Sequence, residues 1–473
     1  MNINQLVQQQ QAFFNRNTSK APDFRIAQLQ QLKQLVRANE KALCDAVYSD
    51  FKKSAFDAYL SEFSLFYSEI NLAIKRLKTW SQRRRVATGW VNFPAKSYIV
   101  PEPLGVTLVI GAWNYPIQLA LVPVVSTIAA GNTVILKPSE LPAQTAKVLA
   151  EMINRHFPAE YFHVVEGGIA ETTELLACHF DKIFFTGSAA VGKKVYQAAA
   201  KHLTPVTLEL GGKSPTVVLA DCDMAMTTKR LVWAKYFNAG QTCVSPDYVL
   251  VDKRIEQPFL AALKREIARY YPQRSQPAAG VADSDRAIDA SDPCPENYVQ
   301  IINHRHFDRL QRLIDAGQVY YGGQYNREQR LIAPTILHPV HPDEPAMQEE
   351  IFGPILPVMT FAHLDDAIAD IKRGDKPLAC YVYGKDKKQV NKILSEVAFG
   401  GGAVNDSMMH LANHRLPFGG VGGSGLGSYH GQAGFASFSH YKSLLHKPFW
   451  LEAPIKYAPY SALKLWLIRR LLG

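Results

Sequence analysis

The chain has 473 residues, of which 47% are hydrophobic and 20% charged, which excludes disordered and collagen-like chains and suggests about three domains. Its net charge of +10 could attract an anionic cofactor, a nucleic acid or a membrane surface, but says nothing of fold. The six cysteines (Cys44, Cys178, Cys222, Cys243, Cys294 and Cys380) include no C-x-x-C pair and are too sparse for a disulfide scaffold.

The start, MNINQLVQQQQAFF, lacks the basic and apolar regions of a secretory signal, and no run of about 20 apolar residues follows. A reducing cytoplasmic setting is the expectation. Residues 23–80 are predicted to be helical, with Leu29, Leu32 and Val36, then Phe63, Phe66, Ile70, Ile74 and Leu77, at helical spacing. Arg83, Arg84 and Arg85 are expected to form a solvated helix end, and 90–100 an extended arm or hairpin.

From 104 the pattern changes. Short apolar runs at 106–110, 133–136, 162–165, 182–185 and 206–210 alternate with helix-like pieces at 116–130, 142–157 and 188–203. That rhythm predicts βαβ units and a doubly wound, mostly parallel α/β sheet, which binds ligands at the carboxyl ends of its strands. GAWNYP, KPSE, TGSAAVG and ELGGK all follow strands and so face one edge. A second α/β region runs from 212 to 418, with helices at 225–238 and 299–315 and strands at 248–252, 334–337 and 379–383. Within it, 271–297 is polar and proline-rich and reads as a surface loop or insertion.

Several motifs bear on chemistry. KIFFTGSAAVGKK is strand, glycine turn and helix, which aims backbone N–H groups at an anion. Gly187, Gly192 and Lys193 nearly spell a Walker A loop, but Lys194 replaces the hydroxyl that would hold Mg²⁺, which disfavours a nucleoside triphosphatase. The string Gly420, Gly422, Gly425 follows PFG rather than a strand and is expected to be a decoy. Cys243, in FNAGQTCVSP, is a candidate nucleophile if partners exist, and otherwise a buried thiol. Glu209 closes a strand beside Gly211 and Gly212, a fitting place for a base. Asn114 offers an amide to an oxyanion, with Pro116 expected to start the next helix. Lys137 ends a strand where it can meet ribose or phosphate, and Phe352, after Glu350, offers an aromatic face. His304 and His306 lie on different helix faces, so no metal site is expected.

WNYP, LKPSE, FTGSAAVG, LELGGK, GQTC, EEIFGP and LPFGG occur here in the order found in NAD(P)-dependent aldehyde dehydrogenases. The resemblance runs from about residue 25 to 450, and the ending VNDSMMHLANHRLPFGGVGGSGLGSYHG is similar to the class 3 branch of fatty, aromatic and coniferyl aldehyde dehydrogenases. It implies Cys243 as nucleophile, Asn114 and the Cys243 N–H as oxyanion donors, and Glu209 as the base that activates water. It further implies NAD or NADP as cofactor: Lys137 and Glu350 at the riboses, Gly187 and Ser188 near the pyrophosphate, and Phe352 at the nicotinamide. Trp113, Ser139, Glu140, Gly192 and Leu210 complete that implied set, with Glu140 able to bond a ribose 2′-OH. The substrate class implied is a medium- or long-chain aliphatic, aromatic or coniferyl-type aldehyde.

The same resemblance implies a Rossmann-like cofactor domain (1–85 and 101–211), a catalytic domain (212–418) and a β oligomerisation arm of intersubunit strands (86–100 and 431–447), in a homodimer. The basic amphipathic tail (455–473), with Leu463, Trp466 and Leu467 near Lys464, Arg469 and Arg470, either packs on the partner subunit or lies weakly on an anionic membrane surface. No nucleic-acid partner is expected. Alternatives on this fold are a cysteine esterase or thioesterase working without nicotinamide, and a non-catalytic binding relative.

Overall fold

The apolar runs of the first half become five parallel strands. The structure, a computed structural model, describes residues 2–272 and 298–472; the core of the 271–297 insertion lies outside them. The sheet runs, edge to edge, Gly425–Leu426, Val206–Glu209, Lys182–Thr186, Val106–Ile110, Thr133–Lys137 and Phe162–Val164. Only Gly425–Leu426 is antiparallel. Val106–Ile110 is buried along its whole length, which is why it reads as unbroken apolar sequence rather than an alternating one.

Strand order fixes where a ligand can sit. From the central strand Val106–Ile110 the chain winds outward through Thr133–Lys137 and Phe162–Val164, then returns to the opposite side for Lys182–Thr186. The crevice between Val106–Ile110 and Lys182–Thr186 is therefore the switch point of the sheet. Ile110 pairs with Lys137 and Phe185, and Thr186 with Glu209, so the carboxyl ends lie level.

Helix Gln118–Ala130 is buried at every residue, with Pro22–Ala38 and Ser64–Trp80 packed on it. It ends at Gly131, whose φ of +97° suits glycine, and a Cβ there would strike the Arg25 guanidinium, which donates to the Ser19 and Ala129 carbonyls at 3.0 and 3.2 Å. On the other side of the sheet, Gln10 of helix Ile3–Asn15 donates to the Val134 and Ala159 carbonyls, both at 3.0 Å. The N-terminal helices thus belong to the first sheet.

A second sheet has seven strands: Val319–Tyr321, Thr335–Leu337, Ile355–Phe361, Tyr248–Asp252, Pro215–Val218, Ala379–Tyr383 and Gly401–Val404. All pair in parallel except the first. A third, antiparallel sheet joins Arg84–Val86, Lys96–Pro103 and Ser439–His446.

Several sequence expectations are corrected. Arg84 and Arg85 are exposed, but they belong to a strand and not to a helix end: Arg84 pairs with Ile99 after the helix stops at Trp80. Residues 90–100 begin with a single turn, Trp90–Asn92, before becoming strand. Only the later part of 431–447 is strand, because Gly431–Ser437 is a helix that buries Phe435 against Trp80. Residues 299–303 are not helical, since Val299, Ile301 and Ile302 are buried individually and the helix starts at His304, capped by Asn303. Helix 116–130 begins at Gln118 and not at Pro116, its first amides reaching a carboxylate outside the helix.

The Phe184 ring, at 0% exposure, lies 4.9 Å from that of Tyr429 and 6.1 Å from that of Phe438. Phe184→Ala should cost about 3–5 kcal/mol and lower the unfolding midpoint measured by denaturant titration; an unchanged midpoint would contradict this packing.

Candidate active site

Cys243 sits on a loop whose backbone is forced. After helix Met224–Tyr236 the residues Asn238, Ala239 and Gly240 all take positive φ, at 55°, 51° and 69°. A Cβ at Gly240 would overlap the Gly353 carbonyl, so this position needs glycine for space as well as conformation. Two left-handed non-glycine residues in a row are costly, and a dense set of hydrogen bonds holds them. The Gln241 amide donates to Asn238 O at 3.2 Å and Gln300 O at 3.1 Å, and its oxygen accepts from Ile302 N–H at 3.1 Å. The Asn238 amide donates to Gln241 O and Asn114 O, both at 3.1 Å. Asn238 and Gln241 went unmarked in the sequence, although asparagine's tolerance of left-handed backbone was a signal in FNAGQTC.

Asn114, 2% exposed, comes from the turn after Val106–Ile110 and donates its side-chain amide to Gln241 O at 3.0 Å. It therefore lies against the peptide that joins Gln241 to Thr242, one residue before Cys243. The Tyr115 hydroxyl meets Thr242 Oγ1 at 2.5 Å, a second tie between the same two segments.

The Cys243 side chain is partly exposed and packs on an apolar cluster that includes Tyr115, Leu119, Phe237 and Met408. Burial pushes its thiol up to about 12, and the negative charges of Glu350 and Glu209 act in the same direction, while the Cys243 and Val244 N–H groups oppose them. Glu209 is 3% exposed and neither of its oxygens has a hydrogen-bond partner. Burial alone pushes its carboxyl well above the usual range. Thr186, its cross-strand neighbour, has an unpartnered buried hydroxyl as well. These three buried atoms, on neighbouring strand ends, are left for a bound group or water to meet.

Around these groups lie the residues expected to hold a cofactor. Ser188 caps helix Ala189–Ala200, its hydroxyl accepting from Val191 N–H at 3.4 Å, and the helix start is exposed. Gly187 N–H donates to Glu209 O at 3.0 Å, and Gly192 packs so closely on Leu210 that a Cβ would overlap it. Lys137, buried at its strand end, contacts Glu140 at 2.8 Å. Ser139 stays at the rim and accepts from Leu141 N–H at 3.3 Å. Glu350 lies over Gly211, where a Cβ would collide with its carboxylate, and is bonded by the Gly212 N–H. Burial and then Asp247 raise its carboxyl to about 8. The Phe352 ring meets that of Trp113 edge-on at 5.3 Å. An exposed helix start, an ammonium, a carboxylate over glycines and an aromatic pair, all at one crevice, fit a dinucleotide.

The glycine string Gly420, Gly422, Gly425 makes no phosphate loop. Gly425 pairs with Glu209, and Ser424 O accepts from Leu210 N–H at 3.1 Å, so the string closes the outer edge of the Glu209 strand. Among the described residues, no group of three or more His, Cys, Asp or Glu side chains could hold a metal ion.

The sequence profile of the aldehyde dehydrogenase family matches residues 1–444. The chain is 42% identical over 461 residues to the 4,4'-diaponeurosporen-aldehyde dehydrogenase of Staphylococcus aureus, covering 97% of each protein. It is 43% identical over 445 residues to a rat (Rattus norvegicus) enzyme named aldehyde dehydrogenase, dimeric NADP-preferring, covering 94% of each. A solved structure of Staphylococcus aureus AldH in a substrate-bound state superposes with a TM-score of 0.93 at 41% identity, over 99% of both chains.

The raised thiol yields a direct check. The neutral form dominates near pH 7, so the rate of Cys243 alkylation by iodoacetamide in the cofactor-free protein should climb with pH and still be climbing at about pH 9. A plateau below about pH 8 would mean a thiol depressed rather than raised.

Proposed function

The chain belongs to the aldehyde dehydrogenase family, and from that premise we propose that Cys243, Glu209 and Asn114 carry out its reaction. The enzyme oxidises an aldehyde to the carboxylic acid with NAD or NADP. Cys243 gives its proton to solvent water, and Sγ attacks the carbonyl carbon while the C=O electron pair moves onto oxygen. The Asn114 amide and the Cys243 N–H stabilise that oxyanion, each such donor contributing roughly 2.7–4 kcal/mol in a dry site. A nicotinamide bound in the crevice would supply the hydride acceptor, and loss of hydride from that carbon would leave a thioester on Cys243. Glu209 then takes a proton from water, the resulting hydroxide attacks the thioester carbon, and the acid departs as Sγ leaves with the electron pair.

The observation that carries this reading is the buried Glu209 carboxyl, both oxygens unpartnered, whose charge reaches the Cys243 thiol. A carboxyl raised from its ordinary value toward working pH is a better base than a free one. For the cofactor, Lys137 and Glu350 suit the riboses, Gly187 and Ser188 the pyrophosphate, and Phe352 with Trp113 the nicotinamide side. Glu140, Ser139, Gly192 and Leu210 would line the remainder. The apolar cluster beside Cys243 favours a medium- or long-chain aliphatic or aromatic substrate, coniferyl-type included. Retention of the Lys137 and Glu350 positions argues against an esterase working without nicotinamide, and the joint presence of Asn114, Glu209 and Cys243 argues against a non-catalytic relative.

Cys243→Ala should abolish aldehyde-dependent growth of reduced-nicotinamide absorbance. Glu209→Gln should keep an initial burst, close to one equivalent per site, and then turn over slowly. Full steady-state turnover in Glu209→Gln would end the proposed role of Glu209.

The domain scheme proposed above (1–85 with 101–211, 212–418, and an arm of 86–100 with 431–447) is supported by three main sheets, although Arg84–Val86 and Lys96–Pro103 cross the arm's bounds and Gly425–Leu426 joins the first sheet from outside them. The third sheet exposes Tyr441 and Leu445 on its outermost strand, as a homodimer arm would. Among the described residues no helix is long and apolar enough to cross a membrane. The tail helix Ala462–Leu472 leaves Leu463, Leu465, Trp466, Leu471 and Leu472 exposed beside Arg469 and Arg470, which favours an enzyme resting weakly on anionic lipid. Deletion of 461–473 should leave a dimer by light scattering but remove co-flotation with phosphatidylserine vesicles. Equal flotation of both forms would sink the lipid role, and a monomer in both would sink the arm.

A further inference from the structure

The turn that carries Asn114 is gripped from behind by two charged residues lying far upstream. Lys53 and Glu62 are each 0% exposed, with Nζ 2.9 Å from Oε1. Lys53 Nζ also donates to the Asn114 carbonyl at 3.2 Å and sits 4.1 Å from the centre of the Tyr115 ring. The second Glu62 oxygen accepts from the N–H groups of Ile117 at 2.7 Å and Gln118 at 3.3 Å. One ion pair thus holds the turn at both ends, by a carbonyl at 114 and by two amides at 117 and 118.

The front of the same turn docks on the cysteine loop through Asn114 to Gln241, Asn238 to Asn114 and Tyr115 to Thr242. Any shift of the turn therefore moves the Asn114 amide relative to the Cys243 backbone. Packing alone does not call for such a pair. Exchanging a buried ion pair for apolar groups of similar size is often neutral or stabilising, whereas removing one partner strands a charge. Glu62 also lies on a single π turn, Tyr59–Phe63, an irregularity found often at functional sites.

Resting on the assignment of Asn114 as an oxyanion donor, we infer that Lys53 and Glu62 are positioning residues for the reaction, fixing the turn that aims the Asn114 amide at the carbonyl oxygen. They touch neither substrate nor cofactor and act through Asn114. The bond geometry of an oxyanion donor is strict enough that a displacement of about 1 Å can cost about 10²-fold in rate.

The test compares Lys53→Met/Glu62→Gln, which removes both charges together and keeps an acceptor for Ile117, with Asn114→Ala and with the triple variant. Readouts are kcat, KM for NAD(P), and the alkylation rate of Cys243 with iodoacetamide. The charge-free variant should lose roughly 10- to 100-fold in kcat with cofactor KM and alkylation unchanged, and the triple variant should be no slower than Asn114→Ala. Normal kcat in the charge-free variant beside a slow Asn114→Ala overturns the inference. So do multiplying losses in the triple variant, or a cofactor KM and alkylation rate that move in step with kcat, since those report general loosening. Should the charge-free variant not fold, Glu62→Asp, which keeps the charge and withdraws it by one methylene, is read against the same criteria. If Asn114→Ala itself retains kcat, the oxyanion assignment fails, an outcome distinct from failure of the clamp alone.

Discussion

A buried carboxyl without partners, set beside a thiol that packs on an apolar cluster, is the constraint on which the rest depends. Glu209 has no hydrogen-bond partner at either oxygen, and Cys243 is raised by burial and by two neighbouring carboxylates. Leaving such groups unsatisfied works against folding, so the surrounding scaffold has to compensate. It does so with elements that carry little chemistry themselves: a strand buried on both faces, a glycine-rich segment closing its outer edge, and a cysteine loop tied by Asn238 and Gln241 into conformations it would not otherwise hold.

The two faces of the crevice divide the work. On one side, helix start, ammonium, carboxylate and glycine backbone offer charge and close approach, which suit a phosphate-bearing cofactor. On the other, Cys243 packs on a buried cluster that includes Tyr115, Leu119, Phe237 and Met408. The Cys243 thiol, the nucleophile proposed above, stands between them. Excluding water there strengthens every electrostatic contact made to a developing oxyanion, which is why a few fixed donors suffice.

Much of this was legible in the sequence. The strands of the first sheet are apolar runs because they are buried on both faces, and the blocks after them name the residues at the crevice. What stayed hidden depends on partners remote in the chain. Lys53 and Glu62 read as ordinary charges in a helical stretch, and only the fold brings them under Asn114, more than fifty positions later. Arg84 gave no strand signal because its pairing with Ile99 is made by backbone atoms. The helix Gly431–Ser437 was masked by small residues that fit it closely against its neighbours, Gly434 beside Ser126 among them. The glycine string at 420–425 looked like noise, yet it completes the edge of the strand that bears Glu209.

That edge has a consequence for how the molecule comes into being. The segment that shields Glu209 arrives from the ribosome more than two hundred residues after Glu209 itself. Until then the nascent sheet has an open border, and its acid is free to be hydrated. Maturation of this pocket is thus deferred until Gly425 and Leu426 have been made, and a product terminated before them would bear the thiol without a finished pocket around it.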